Sequence, residues 1–469
     1  MISLDKKYRI AGVIFVLLAS SFAMISYLYS DIQLTQWHGI QMWNALFAGK
    51  INHVYEYYAA EGTIAAYDFT VYLIFAIWNF PCWVFEKISG TNAQDFALFL
   101  LWGKMMIFAF VAATTYLMGK IYSCLQPDTD RNDVICVCLY YASSLLLTAY
   151  SLYTGNYDVI ELLFILMGVH ALLKGKFWLF VLFFSIAVSG KGFALWIYIP
   201  ILLVRQKNVW RILISILAGM GITVIERLIF GNNEVLVQLG SEFSTTGLLS
   251  SLIESNAVDF SGIGTVSILI ILYVILCVYC YTIDSNSDSF IKYQYIYIIT
   301  CAWMIYFMFY PFNTYWIVLL VPFLILIVFE KSKKIGFNII LECIFSMAIF
   351  LAGSIRQHWV IGGNNDLNSY RFFEQLFSSI GLVTYKLTPL SNQLANYSKE
   401  KVNLFILFNS IFMALGIVFL VVNRPKSKVI FECSEKTTKQ LYIFRILLQV
   451  FTLCISGMYY VIMMLEYNL

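Results

Sequence analysis

Charge is what this chain has least of. Of 469 residues only 12% are Asp, Glu, Lys or Arg, against 61% that are hydrophobic. A water-exposed globular surface cannot be built from that composition, which excludes soluble enzymes and soluble binding domains. Histidine is also scarce: there are four, and none shares metal-ligand spacing with a second histidine and a carboxylate. No cofactor is expected, and nothing in the sequence demands a divalent metal. A nucleotide-binding glycine pattern is absent, so any sugar or phosphate donor would have to arrive already linked to lipid. Nucleic acid is not an expected partner. The ten cysteines are scattered, with Cys136, Cys138, Cys277, Cys280 and Cys301 inside apolar runs, and read as small apolar fillers without a disulfide framework.

What the chain has is long hydrophobic runs. The first, 10–30, is long enough to span and lacks a small-residue cleavage pattern, so an uncleaved span is expected. Further runs fall at 97–121, 134–153, 158–173, 177–190, 193–204, 210–230, 263–283, 291–310, 314–330, 336–354, 402–423 and 442–464. The expectation is an all-α, polytopic membrane protein with about thirteen spans. Lys6, Lys7 and Arg9 precede the first run and hold the N-terminus in the cytoplasm.

Segment 69–85 is apolar enough to cross, but crossing would turn Lys174, Lys176, Arg205, Lys207, Arg211, Lys331, Lys333, Lys334, Arg424, Lys426 and Lys428 outward. The positive-inside rule therefore makes 69–85 a re-entrant or surface-lying helix, and Pro81 within it agrees. Loops 31–96, 231–262 and 355–401 then face outward, and short basic loops face inward. A loop-built active site would be extracytoplasmic.

Asp31 stands where the first run leaves the membrane. It either ends a helix among headgroups or serves as a general base at the bilayer rim. After it, Leu34, Trp37, Ile40, Met42, Trp43 and Leu46 recur at near-helical spacing, which predicts an amphipathic interfacial helix closed by Gly49 and Lys50. Farther on, Tyr153, Thr154, Gly155, Asn156, Tyr157 and Asp158 make a tight turn into a span. Asp158 either caps that helix or, with Asn156, binds sugar hydroxyls in the same cleft as Asp31. Lys191 lies between two short spans on the outer side, against the charge bias, and Lys104 sits within a span. Both are candidates for a phosphate, with snorkelling as the alternative for Lys104. Arg356 and His358 follow a span and either contact a leaving phosphate or anchor in headgroups. The same loop continues with Asn364, Asn365, Asp366 and Arg371.

In order along the chain, these positions resemble the integral-membrane glycosyltransferases of the C-type fold (GT-C). Asp31 matches the family's acidic residue after the first span. Gly155, Asn156, Tyr157 and Asp158 are similar to its Gly-Gln-Tyr-Asp opening of a span, and Ser189, Gly190 and Lys191 to its lysine-bearing turn. Phe312 to Pro322 is similar to its aromatic, leucine-rich pattern ending in proline. The resemblance covers residues 1 to about 325, which implies a catalytic transmembrane module over 1–330 with interfacial helices in loop 31–96. Residues 331–469 then supply C-terminal spans and loop 355–401. Two departures stand out: Asp31 lacks the second acid many members carry, and Tyr67, Asp68 and Phe69 replace a Tyr-Pro-Pro.

The resemblance implies inverting transfer of a sugar from a polyprenyl phosphate to a glycan or lipid-linked acceptor at the cell membrane. Asp31 would be the general base, Lys104, Lys191 and Arg356 would bind the donor phosphate, and His38, Asn156, Tyr157, Asp158 and His358 would hold sugars. A polysaccharide polymerase or ligase of the O-antigen type would instead centre on Arg356 and Arg371. A flippase or transporter would show charged or broken-helix sites near mid-membrane and repeated topology, neither of which is evident in the sequence.

Overall fold

The computed structural model describes residues 5–26, 28–29, 31–60, 65, 67–95, 97–231, 257–260, 264–283, 288–330, 334–357, 369–370, 396–399, 403–425 and 433–465. His358, Arg371 and most of loops 231–262 and 355–401 lie outside them.

The described chain is overwhelmingly helical. In order, the helices are α1 (Lys6–Ser26), α2 (Asp31–Phe47), α3 (Val54–Ala60), α4 (Phe69–Ser89), α5 (Ala97–Leu125), α6 (Arg131–Ala142), the single turn α7 (Leu145–Leu147), α8 (Asp158–Leu173) and α9 (Phe177–Gly190). They continue as α10 (Ala194–Arg205), α11 (Val209–Gly219), α12 (Gly221–Phe230), α13 (Ile268–Thr282), α14 (Asp288–Phe309), α15 (Val321–Val328), α16 (Ile335–Arg356), α17 (Leu404–Asn423) and α18 (Glu435–Leu465). Two short antiparallel pairings accompany them, Leu28–Tyr29 with Ser369–Tyr370 and Ala257–Phe260 with Gly264–Ser267.

Six described helices are long and apolar enough to cross a membrane, or eight if each of two bent pairs counts as one span. The chain is an all-α membrane protein. The bent pairs are α6 with the segment 145–153, at 50°, and α11 with α12, at 48°. Several other apolar helices, α9, α10 and α13 among them, are shorter than a bilayer is thick.

The helix expected after Asp31 is found as α2, and Gly49 follows its end with a positive φ of 68°. It lies against α4. A Cβ on Gly39 would come within 2.7 Å of the Phe75 backbone, so glycine permits this approach. The pair is tied by Trp43 Nε1 donating to the Ala76 carbonyl (2.7 Å), by Gln36 to Asn79 (3.3 Å) and by Trp83 to Asn44 (2.9 Å). From α12, Glu226 accepts from the backbone N–H and hydroxyl of Thr70 and so closes the first turn of α4, while Arg227 pairs with Asp68 at 2.7 Å.

The segment 148–153 makes a widened, π-type turn, in which Thr154 N–H reaches back to the Ala149 carbonyl (3.1 Å). Such a turn frees carbonyls from the helical ladder, and this decides where Lys104 goes.

Candidate active site at the Asp31 end

Two turns of chain and one helix start converge on Asp31. Gly155, with φ 79°, reverses the backbone after the π-type turn, and the Asn156 side chain then accepts from Asp158 N–H at 3.0 Å. Asn156 is therefore the residue that satisfies the open end of α8, which releases the Asp158 carboxylate from capping. That carboxylate forms an ion pair with Lys191, carried by the turn between α9 and α10. Asp158 is 1% exposed and the Lys191 side chain 13%, so the cation is the more accessible member of the pair.

The Lys191 ammonium lies 5.4 Å from the Tyr67 ring centre and 5.5 Å from that of Tyr157, two rings that meet each other edge to face. The Tyr157 hydroxyl meets Thr35 Oγ1 (3.2 Å) and lies close enough to the Asp31 carboxyl to favour its charged form. Thr35 itself donates to the Asp31 backbone carbonyl at 2.9 Å, fixing the first turn of α2. Asp31 is half-buried. Burial raises its carboxyl above the ordinary value of 3.8, while the nearby Lys191 charge and the Tyr157 hydroxyl pull it back. A carboxylate so placed is a stronger base than one in water.

Asp31, Tyr157, Asp158 and Lys191 thus form one constellation, with Asn156 supporting it from behind. Reading the sequence missed Tyr67, Glu161 and Tyr306. Glu161 is 5% exposed, lies one turn beyond Asp158 on α8 and feels the Lys191 charge. Its signal was present, two acids three residues apart at the start of an otherwise apolar helix.

Other candidates go elsewhere. Lys104 is 2% exposed and donates to the carbonyls of Leu152 (2.8 Å), Tyr153 (2.7 Å) and Ala23 (3.3 Å). It neutralises the carbonyl end of the π-type turn, a structural task rather than the expected phosphate contact. Lys104→Met is expected to lower stability by about 2 kcal/mol, since buried carbonyls would lose their donor. Donor KM should not change; a thermal melt and a KM measured on the same preparation check both parts.

His38 is 1% exposed and lies in a ring cluster, 4.6 Å from Tyr58 and 5.1 Å from Tyr72 between centroids. It packs the first loop, which does not fit the sugar-holding role expected of it. Burial lowers its imidazole to about 3. A histidine kept neutral in the fold but protonated when unfolded favours unfolding as pH drops. Stability should therefore fall from about pH 6.5 toward about pH 3. His38→Phe should flatten that part of the melting-temperature profile.

Arg356, at the exposed end of α16, stacks on Phe405 (5.7 Å) and borders a cavity of about 260 Å³ lined by Phe309, Phe312, Met413 and Asn409. Tyr310, which also lines it, has its ring 4.9 Å from that of Tyr306. Gln357 next to it accepts from Thr314 N–H (2.7 Å) and donates to Asn313 (2.9 Å), tying α16 to the 311–316 turn. Among the described residues, no group of three or more His, Cys, Asp or Glu is placed to hold a metal ion.

No family model, no curated protein and no solved structure matches this chain. Its chemistry has to be argued from the constellation itself.

Proposed function

We propose that the chain is a membrane glycosyltransferase that moves a sugar from a polyprenyl phosphate to a glycan or lipid-linked acceptor on the extracytoplasmic side. The observation that supports it most is the approach of Asp31, Tyr157, Asp158 and Lys191 at the end of the first apolar helix. Asp31 takes the acceptor hydroxyl proton as that oxygen attacks the anomeric carbon, and the bond to the polyprenyl phosphate breaks on the opposite face. Lys191 offers a positive charge to the departing phosphate. Asp158 holds the Lys191 ammonium in place, and Tyr157 holds Asp31. Arg356, one cavity away, is a second cation for the lipid phosphate.

A transporter of lipid-linked glycans is the second reading. Two bent helix pairs and the buried carboxyls of Asp158 and Glu161 beside Lys191 are features such proteins use. Reconstitution separates the two. The purified chain in liposomes is given a range of polyprenyl-phosphate sugars and a glycan acceptor, and bond transfer is scored apart from movement across the bilayer. Transfer that depends on Asp31 supports the first reading. Movement of intact donor without transfer would overturn it.

A further inference from the structure

Beneath the Asp158–Lys191 pair lies a set of buried polar groups that the transfer chemistry does not use. Glu161 makes no side-chain hydrogen bond among the described residues; only the backbone N–H of Ala194, at the start of α10, approaches its carboxyl. The second oxygen of Asp158 is likewise unbonded. From α14, Tyr306 is 1% exposed, its hydroxyl has no partner among the described residues, and it stands within electrostatic reach of both Asp158 and Glu161. Trp316, in the 311–316 turn, keeps a buried indole N–H that is unbonded among the described residues, on a ring that is half-buried. Phe193 stands between these two, 4.4 Å from the Trp316 ring and 5.7 Å from that of Tyr306.

Buried polar atoms are nearly always paired, so several unpaired ones around one spot point to a polar occupant. Here the acceptors are carboxylates, the donors are a phenol and an indole, and the walls between them are aromatic faces. A pyranose ring matches that set, with hydroxyls around its edge and apolar C–H groups on its face. Charge narrows the choice. Asp158 and Glu161 already share this buried spot with the one ammonium of Lys191, so taking a further carboxylate out of water there would be costly, whereas an uncharged ring adds no charge.

We infer that Glu161, Tyr306 and Trp316, with Phe193 as the apolar floor, form a recognition subsite for an uncharged, hydroxylated sugar ring. This deepens the glycosyltransferase reading and rests on it only for the claim that the bound ring is the one transferred. Glu161 accepts from ring hydroxyls, Tyr306 and Trp316 donate to them, and the opening lies between Lys191 and Trp316.

The test is saturation-transfer NMR on the full chain in nanodiscs, with methyl hexosides and the corresponding methyl hexuronides as probes. At least one hexoside should receive saturation and the hexuronides should not. Glu161→Gln and Tyr306→Phe should each weaken hexoside binding about tenfold, the loss expected for one buried hydrogen bond to the ligand. Tyr306→Phe removes a hydroxyl with no partner among the described residues, so its melting temperature should hold and it remains informative if Glu161→Gln folds poorly. Absence of saturation from every hexoside, or binding unchanged in both variants, would overturn the subsite, the second outcome meaning that bound water alone fills it. Hexoside binding that depends on Glu161 and Tyr306, in a chain that transfers no sugar, would uphold the subsite and overturn only the transferase reading.

Discussion

Asp31→Asn is expected to slow sugar transfer by about 10²–10⁴-fold, the range for loss of a positioned general base. The substitution keeps the size of the side chain and leaves an oxygen to accept from Tyr157, so the first turn of α2 should persist. Melting temperature and donor KM should stay close to those of the unsubstituted chain, and the loss should fall on kcat. The pH profile gives a second check. The base works only when ionised, so activity should fall as pH drops through the Asp31 pKa. Burial has raised that value above 3.8, placing the acid limb above the ordinary carboxylate range.

The sign for stability is the reverse of the usual carboxylate case. The folded chain holds this proton more tightly than the unfolded one, so stability falls as pH rises from the unfolded to the folded pKa and is flat above it. Asp31→Asn should remove that slope together with the acid limb. Full transfer activity in this variant would sink the mechanism.

How far the sequence carried is clearest at Asp158. The sequence had already grouped Asp31, Asp158 and Lys191 by the order of their motifs, and in the structure the three lie within electrostatic reach of one another. The local reading of Asp158 as a cap was legible too, yet the structure gives that task to Asn156, two residues earlier, through an Asx turn. Helix α8 was expected at 158–173 and is found there, since Gly155 and Gly175, both at positive φ, punctuate its ends. The first helix stops at Ser26, short of the apolar run that extends to 30, so Asp31 opens a new helix instead of ending the old one.

Lys104 could not be placed from sequence at all. Its acceptors exist only because 148–153 winds as a π-type turn, which no local pattern announces. The bend within 131–153 was equally hidden, because an apolar run reads the same whether straight or broken.

The largest stability effect should come from a pair no sequence pattern announces. Arg445→Met is expected to destabilise the chain by about 3–5 kcal/mol, the range for stripping one partner from a buried ion pair. Arg445, on α18, is 0% exposed and Glu342, on α16, is 2% exposed. Two guanidinium nitrogens hold the two carboxylate oxygens, Nε to Oε2 at 2.9 Å and Nη2 to Oε1 at 2.8 Å. The remaining donors reach the Tyr140 carbonyl (2.7 Å) and Ser143 Oγ (3.0 Å), and the guanidinium lies 3.7 Å over the Tyr140 ring.

With Arg445 gone, Glu342 keeps only the hydroxyls of Tyr140 (2.7 Å) and Ser346 (2.8 Å). Two hydroxyls do not neutralise a buried charge. The double variant Glu342→Leu with Arg445→Met should recover most of the loss, because it removes the stranded charge along with its partner.

The clamp also reaches the active end. It fixes α6 against α16 and α18, while Gln449 of α18 accepts from Leu145 N–H at 2.8 Å, where the chain bends toward the π-type turn. Arg445→Met should therefore lower transfer activity as well as the melting temperature, and the double variant should restore both together. Recovery of stability without activity would show that the charges themselves, and not the packing they organise, set the position of that turn.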